Sequence, residues 1–273
     1  MTQQTTTPIQ SIQRATAILR SFTEREPELS VSVLSQRLEL HKSTVSRILA
    51  TLQTEGLVGK NPETGKYSLG LGLISLAGVA LGRLSVRGVA EVHLDKLAEI
   101  SRETINVAVV DGQECVSIEH IPGPQSLRYV GWIGRRMPFH ATVCGRALLA
   151  YASPEERATM LSFPLTGYTA QTIVDSKTLE DTLKKTRQQG YAIVHEEFSE
   201  GFSAIAVPVF NHAGRVIAAI SIAGPAFRMG RDEIISLIEP LLETTHTVSA
   251  ELGHTALAPS LLKTERKRRL DLQ

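Results

Sequence analysis

From Ile9 to Phe22 the apolar residues Ile9, Ile12, Ala15, Leu19 and Phe22 recur at three- or four-residue steps, which predicts an amphipathic helix. Pro27 ends it. Val33, Leu34 and Leu38 predict a short second helix with Ser32 as its N-cap. After a break at Glu39-Leu40-His41, a third helix runs from Lys42 to Thr54. Its inward stripe is Val45, Ile48, Leu49 and Leu52, and Gly56 stops it. The periodicity then changes. Leu57-Val58 and Tyr67–Leu69 read as short strands around the turn-forming stretch Asn61–Lys66. Helix, helix, turn, helix and hairpin make a winged helix-turn-helix over residues 1–72.

Residues 73–102 read as a helical linker, with Leu73, Leu76, Ala80, Leu84, Val92, Leu94, Leu97 and Ile100 as its apolar positions and a break or bend at Gly82 and Gly88. Its first part is apolar with few charges, which suits packing against a partner chain. Residues 103–256 alternate strands and helices. The strands are Thr104–Asp111, Glu114–Ile121, Ser126–Trp132, Gly190–His195, Ser203–Phe210 and Arg215–Ile222. Asp111-Gly112 is a hairpin turn, and Asn211–Gly214 joins the last two strands. The helices are Val143–Tyr151, Pro154–Phe163, Ser176–Gln189 and Arg231–His254. Ser176 serves as an N-cap, Glu180 and Asp181 lie in the first turn of that helix, and Gly190 closes it. Hairpins flanked by helices argue an α+β domain with a mostly antiparallel sheet. Residues 1–8 read as loose chain, and 257–273 as a disordered basic tail.

Composition sharpens this outline. A chain of 273 residues fits two domains. Net charge is +1, so no global field recruits nucleic acid, and residues 1–72 carry only eight Lys/Arg against six Asp/Glu. Cys115 and Cys144 form neither a disulfide framework nor a zinc signature, which fits a reducing cytoplasm. No leader peptide and no membrane span is expected: the apolar tract 69–84 is broken by glycines and Arg83.

The chemistry of the first domain lies on one helix face. Lys42, Ser43, Thr44, Ser46, Arg47, Ala50 and Gln53 remain once the inward stripe is removed, and no acid appears before Glu55. Arginine reads guanine edges, glutamine reads adenine, and hydroxyls reach bases or phosphate. Arg37, Lys60 and Lys66 are placed to hold phosphates. A solvated bundle face is the plain alternative; the order of elements, the acid-poor helix and the basic wing argue for double-stranded DNA. The tight turn carries Glu39 where glycine is usual, and a positive φ there costs about 1 kcal/mol.

Several motifs together resemble the isocitrate lyase regulator (IclR) family. They are IQSIQRATAILRSF from Ile9, SVSVLSQRLELHKSTVSRILATLQTEGLV from Ser30, YSLGLGLISL from Tyr67, FHATVCGRALLAY from Phe139, GYAIVHEEFSEGFSAIAVPVF from Gly190 and GRVIAAISIAGP from Gly214. Arg146 stands where the family signature has lysine. The resemblance implies a GAF-like effector-binding domain, homodimers or homotetramers on a palindromic operator, and control of catabolic genes by a small metabolite. Carried over by position, it implies an effector pocket of Leu127, Tyr129, Val143, Cys144, Val194, Ala204, Ser221 and Ala223. Relatives that take small oxo-acids carry an acid, a cysteine and two serines where this chain has Val194, Ala204, Ser221 and Ala223. Ser221 is the one hydroxyl among those four, which points to an aromatic or other weakly polar carboxylic acid, its carboxylate met by Arg128, Arg135 or Arg136.

Other chemistries are weaker. Cys144 opens a helix near His140, so a thiol-dependent reductase with an accessory DNA-binding segment is the alternative to a repressor that is no enzyme. A non-specific architectural DNA protein conflicts with the near-neutral charge. His195, Glu196, Glu197 and Glu200 suit a salt bridge or a solvated loop better than a metal. Gly70-Leu71-Gly72 lacks the rest of a dinucleotide fingerprint. No cofactor and no metal is expected.

Overall fold

The computed structural model describes residues 9–23, 25–82, 85–162 and 164–255. The expectations for 1–8 and 257–273 lie outside them. The chain divides into two units, Met1–Arg83 and Leu84–Gln273, so the division falls inside the segment read as a linker.

In the first unit α1 (Gln10–Arg20), α2 (Val31–Arg37) and α3 (Lys42–Thr54) are followed by β1 (Val58–Lys60), β2 (Tyr67–Leu69) and α4 (Gly72–Gly82). Strands β1 and β2 pair antiparallel, and Leu29 adds a bridge to Tyr67. Ile18, Leu34, Val45 and Leu49 are fully buried and form the core. The cap of α2 is Ser30, not Ser32: its hydroxyl accepts from Val33 N, because the helix starts two residues before the expected position. Glu39 adopts φ +53°, and the turn is tied by Ser35 Oγ donating to Leu40 O at 2.6 Å. Gly70 and Gly72 have a packing role. A Cβ on either would lie 2.3 or 2.8 Å from the Gly56 carbonyl.

The second unit contains α5 (Ser85–Ser101), β3 (Thr104–Asp111), β4 (Glu114–Ile121), β5 (Arg136–Met137), α6 (Val143–Tyr151), α7 (Pro154–Met160), α8 (Ser176–Gln189), β6 (Ala192–His195), β7 (Phe202–Phe210), β8 (Val216–Pro225) and α9 (Arg231–Glu251). One six-stranded antiparallel sheet runs β5-β4-β3-β8-β7-β6. Helices α5 and α9 pack on one face, α6 on the other. The segment read as a linker is thus two helices. α5 belongs to the second core through Ala90, Leu94 and Leu97, and Gly88 does not interrupt it. Among the described residues no helix is long and apolar enough to cross a membrane.

The structure departs from the sequence reading at a few ends. Ser126–Trp132 is not a strand. The loop's carbonyls are taken by side chains instead: Thr104 Oγ1 donates to Tyr129 O (2.9 Å), Arg228 to Leu127 O (2.7 Å) and Arg135 to Val130 O (2.8 Å). The strand in that region is Arg136–Met137, paired with β4. Helix α7 ends at Met160, and α9 at Glu251. α8 is capped by Asp175, whose carboxylate accepts from Thr178 N and Oγ1 at 2.7 Å. Glu180 and Asp181 therefore fall beyond its first turn.

Candidate functional site

In the first unit α3 presents Lys42, Ser43, Ser46 and Arg47 to solvent, with Thr44 half-buried beside Val45. The helix is capped by a residue the sequence reading passed over. His41 Nδ1 accepts from Ser43 N at 3.3 Å and lies 2.7 Å from Ser43 Oγ. Its position just before Lys42 was the available signal, but histidine is outside the usual capping set. Lys60 and Lys66 are exposed on the hairpin, and Lys60 Nζ sits 5.6 Å from the Tyr67 ring centre. Arg37 is placed differently. Its guanidinium donates to Ser21 O at 3.1 Å and to both carboxylate oxygens of Glu26 at 3.1 and 2.9 Å, so its charge is matched within the unit.

In the second unit a cavity opens between the start of α6 and one face of the sheet. The sheet contributes Asn106, Val194, Phe202, Ala204, Ser221 and Ala223. The start of α6 contributes Ala141, Thr142, Val143 and Cys144. Tyr129, Met137, Phe198 and Ser199 complete the wall. Seven of the eight positions carried over from the resemblance thus border one cavity: Tyr129, Val143, Cys144, Val194, Ala204, Ser221 and Ala223. Leu127 does not; its side chain is exposed, and its carbonyl serves Arg228.

The cavity is more polar than those positions implied. Asn106 was missed, although a lone amide inside the apolar run Thr104–Val110 was a signal. Its Oδ1 accepts a short hydrogen bond from Ser117 Oγ, its Nδ2 lies 3.9 Å from Cys144 Sγ, and its carbonyl accepts from Ser221 Oγ at 3.4 Å. Thr142 Oγ1 donates to Pro138 O at 2.6 Å and accepts from Gly145 N. Most hydroxyls are therefore matched within the wall. Ser203 also borders the cavity, but its hydroxyl meets His195 Nδ1 at 2.7 Å.

A buried ion pair frames this site. Arg146, on α6, is 1 % exposed. Its two terminal nitrogens fork onto the Glu197 carboxylate, one at 2.7 Å, and its Nε donates to His140 O at 2.8 Å. Glu196, at φ +52°, turns the chain so that Glu197 points inward. The acidic cluster at 195–200 is thereby split. Glu197 goes to Arg146 and His195 to Ser203, and among the described residues no group of side chains could hold a metal.

Both cysteines are free and buried. Burial pushes the Cys144 thiol up to about 11 and the Cys115 thiol to about 12, outweighing the hydrogen bonds that oppose it. The thiolate a reductase needs is thus disfavoured.

Comparison with known proteins decides the family. Residues 78–250 match the bacterial transcriptional regulator IclR C-terminal domain, and residues 11–62 the IclR helix-turn-helix domain. The chain belongs to the IclR family. It is 36 % identical to the HTH-type transcriptional regulator XynR of Escherichia coli K12 over 91 % of this chain and 99 % of that one. Identity to the HTH-type transcriptional repressor AllR of the same strain is 34 %, over 89 % and 90 %. A crystal structure of an IclR homologue from Microbacterium hydrocarbonoxydans, complexed with 4-hydroxybenzoate, superposes with a TM-score of 0.79 at 27 % identity, covering 89 % of this chain and 98 % of that one. The protein is therefore a metabolite-controlled, DNA-binding transcriptional regulator with an N-terminal helix-turn-helix and a GAF-like C-terminal domain.

Two outcomes follow for this IclR-family chain. Glu197→Ala leaves Arg146 buried without a partner and costs about 3–5 kcal/mol of stability in denaturant unfolding, whereas the double replacement Arg146→Met, Glu197→Leu recovers most of it. The thiols give a second outcome. At neutral pH both resist a thiol-specific disulfide reagent in the native protein and react on unfolding. Because their folded pKa values are raised, the stability they contribute is complete below the ordinary thiol value of 9.0. It is lost as pH rises through about 11 for Cys144 and about 12 for Cys115, read as a falling unfolding free energy.

Proposed function

We propose that this regulator acts in the cytoplasm as a repressor of catabolic genes, and that an aromatic or similarly weakly polar carboxylic acid releases it from a palindromic operator. The observation that carries the effector class is the cavity wall. Its side chains are apolar or neutral, and most hydroxyls are already matched. A small, highly polar oxo-acid would lose its hydration there without gaining enough partners, whereas a ring fills such a space. The homologue crystallised with 4-hydroxybenzoate is consistent with this class, and the relative described as a repressor with that direction of control.

Homodimers or homotetramers fit the exposed apolar side chains of α4, among them Ile74, Leu76 and Val79, which suit a partner chain. Effector binding then shifts the balance between arrangements of paired DNA-binding units. Two recognition helices related by a two-fold axis call for half-sites about one helical turn apart, or a multiple of that. On DNA, Lys42, Ser43, Thr44, Ser46 and Arg47 enter the major groove, and Lys60 and Lys66 meet phosphate. Arg37, matched by Glu26, contributes orientation of α2 rather than charge.

In gel-shift titrations Arg47→Ala loses discrimination between operator and scrambled DNA by about 1–3 kcal/mol, while Lys60→Ala weakens binding to both alike. Full discrimination in Arg47→Ala would move recognition to another surface. In calorimetric titration, aromatic acids bind the wild-type protein and release the operator. Tight binding of glyoxylate or pyruvate, with none of aromatic acids, would overturn the effector class.

A further inference from the structure

The cavity poses an electrostatic problem for any acid. None of the side chains on its wall carries a charge, and a carboxylate taken from water into such a site needs a cation. Three arginines of the 122–136 segment are close in sequence. Arg136 is bound at 2.7 Å to Glu114 and at 2.8 Å to Asp111, against a different cleft at the tip of the β3–β4 hairpin. Arg128 is exposed and donates to Gln125 O within its own loop.

Arg135 is different on both counts. Its guanidinium carbon lies 5.3 Å from the Tyr129 ring centre, 5.4 Å from that of Phe198 and 4.9 Å from that of Trp132. Tyr129 and Phe198 are themselves cavity wall. Among the described residues no carboxylate lies within ion-pair distance of Arg135, while Arg136, Arg146 and Arg228 each have one. A planar cation held among rings keeps its N–H groups at the edge, where a carboxylate can meet two of them.

The cage is also fixed before any ligand arrives. Arg135 donates to Val130 O, Tyr129 is tied by Thr104 through its carbonyl, and the Tyr129 and Phe202 rings meet edge to face at 5.7 Å. The conformational freedom lost on binding is correspondingly small. At the buried end of the same cavity, Asn106, Cys144 and Ser221 bond to one another and carry no charge that could meet a carboxylate.

We propose that Arg135 is the carboxylate-binding residue of the effector site, and that the effector is a flat monocarboxylate held with its acid at the ring-caged mouth and its neutral end against Asn106. This rests on the effector class proposed above and assigns its orientation.

The test is calorimetry with 4-hydroxybenzoate, benzoate and phenylacetate, each paired with its neutral amide, on wild type, Arg135→Met, Arg135→Lys and Arg128→Met. Thermal unfolding of each variant checks the fold. Wild type and Arg128→Met prefer acid over amide by about tenfold or more, the size of one charge-assisted contact. Arg135→Met loses that preference while its amide affinity stays within about twofold, and Arg135→Lys keeps part of it. An unchanged acid preference in Arg135→Met, or its loss in Arg128→Met, overturns the assignment. Should wild type bind only glyoxylate or pyruvate, the aromatic class fails by itself. Arg135 is then judged on that acid, whose affinity must fall by about tenfold in Arg135→Met. Binding of amides with no acid of either kind overturns both.

Discussion

Arg146 and Glu197 join pieces of chain 51 residues apart, and the geometry of the second unit's cavity depends on that union. Removing both charges from water is unfavourable by several kcal/mol per ion. It is offset here because the fork matches the carboxylate edge to edge and the remaining Nε is taken by the His140 carbonyl. The pair fastens the first turn of α6 to the turn after β6. Those are two of the cavity's boundaries. Gly145 lets the same helix turn sit against Phe139, since a Cβ there would lie 2.3 Å from the Phe139 carbonyl. Glu196, in the left-handed region, is the backbone cost of aiming Glu197 inward.

The two functional surfaces treat charge in opposite ways. On α3 the cations stand in solvent, where they can replace the counterions condensed on an anionic duplex. In the second unit Arg136, Arg146 and Arg228 are each matched by a carboxylate, and the cavity wall itself carries no charged side chain among the described residues.

Much of this was legible in the sequence because it is local. Period and turn chemistry located α6 and strands β3 and β4 to the residue, and α3 and α8 closely, α8 with its cap at Asp175 rather than Ser176. The errors lie where a neighbour decides. Ser30 and Ser32 are equivalent as caps until Val33 N picks one. Ser126–Trp132 has a strand's alternation, but its carbonyls are claimed by Thr104, Arg135 and Arg228, one of them from beyond β8. Arg37 reads as a phosphate contact, and its pairing with Glu26 is not visible in the local sequence. The motif resemblance gathered seven cavity residues correctly in space but passed over Asn106, which matters through what faces it. The Arg146–Glu197 fork was hidden for the same reason: nothing in either local sequence names the other.

The pleat of the sheet has an evolutionary consequence. Along β8, Ser221 and Ala223 face the cavity, while Ile220 and Ile222 face the helices opposite; on β7, Ala204 alternates with Ile205 and Val207 in the same way. Neighbouring codons in one strand therefore answer to different selective pressures. Ser221 and Ala223 are constrained by the cavity they border, and Ile220 and Ile222 by the buried layer behind them.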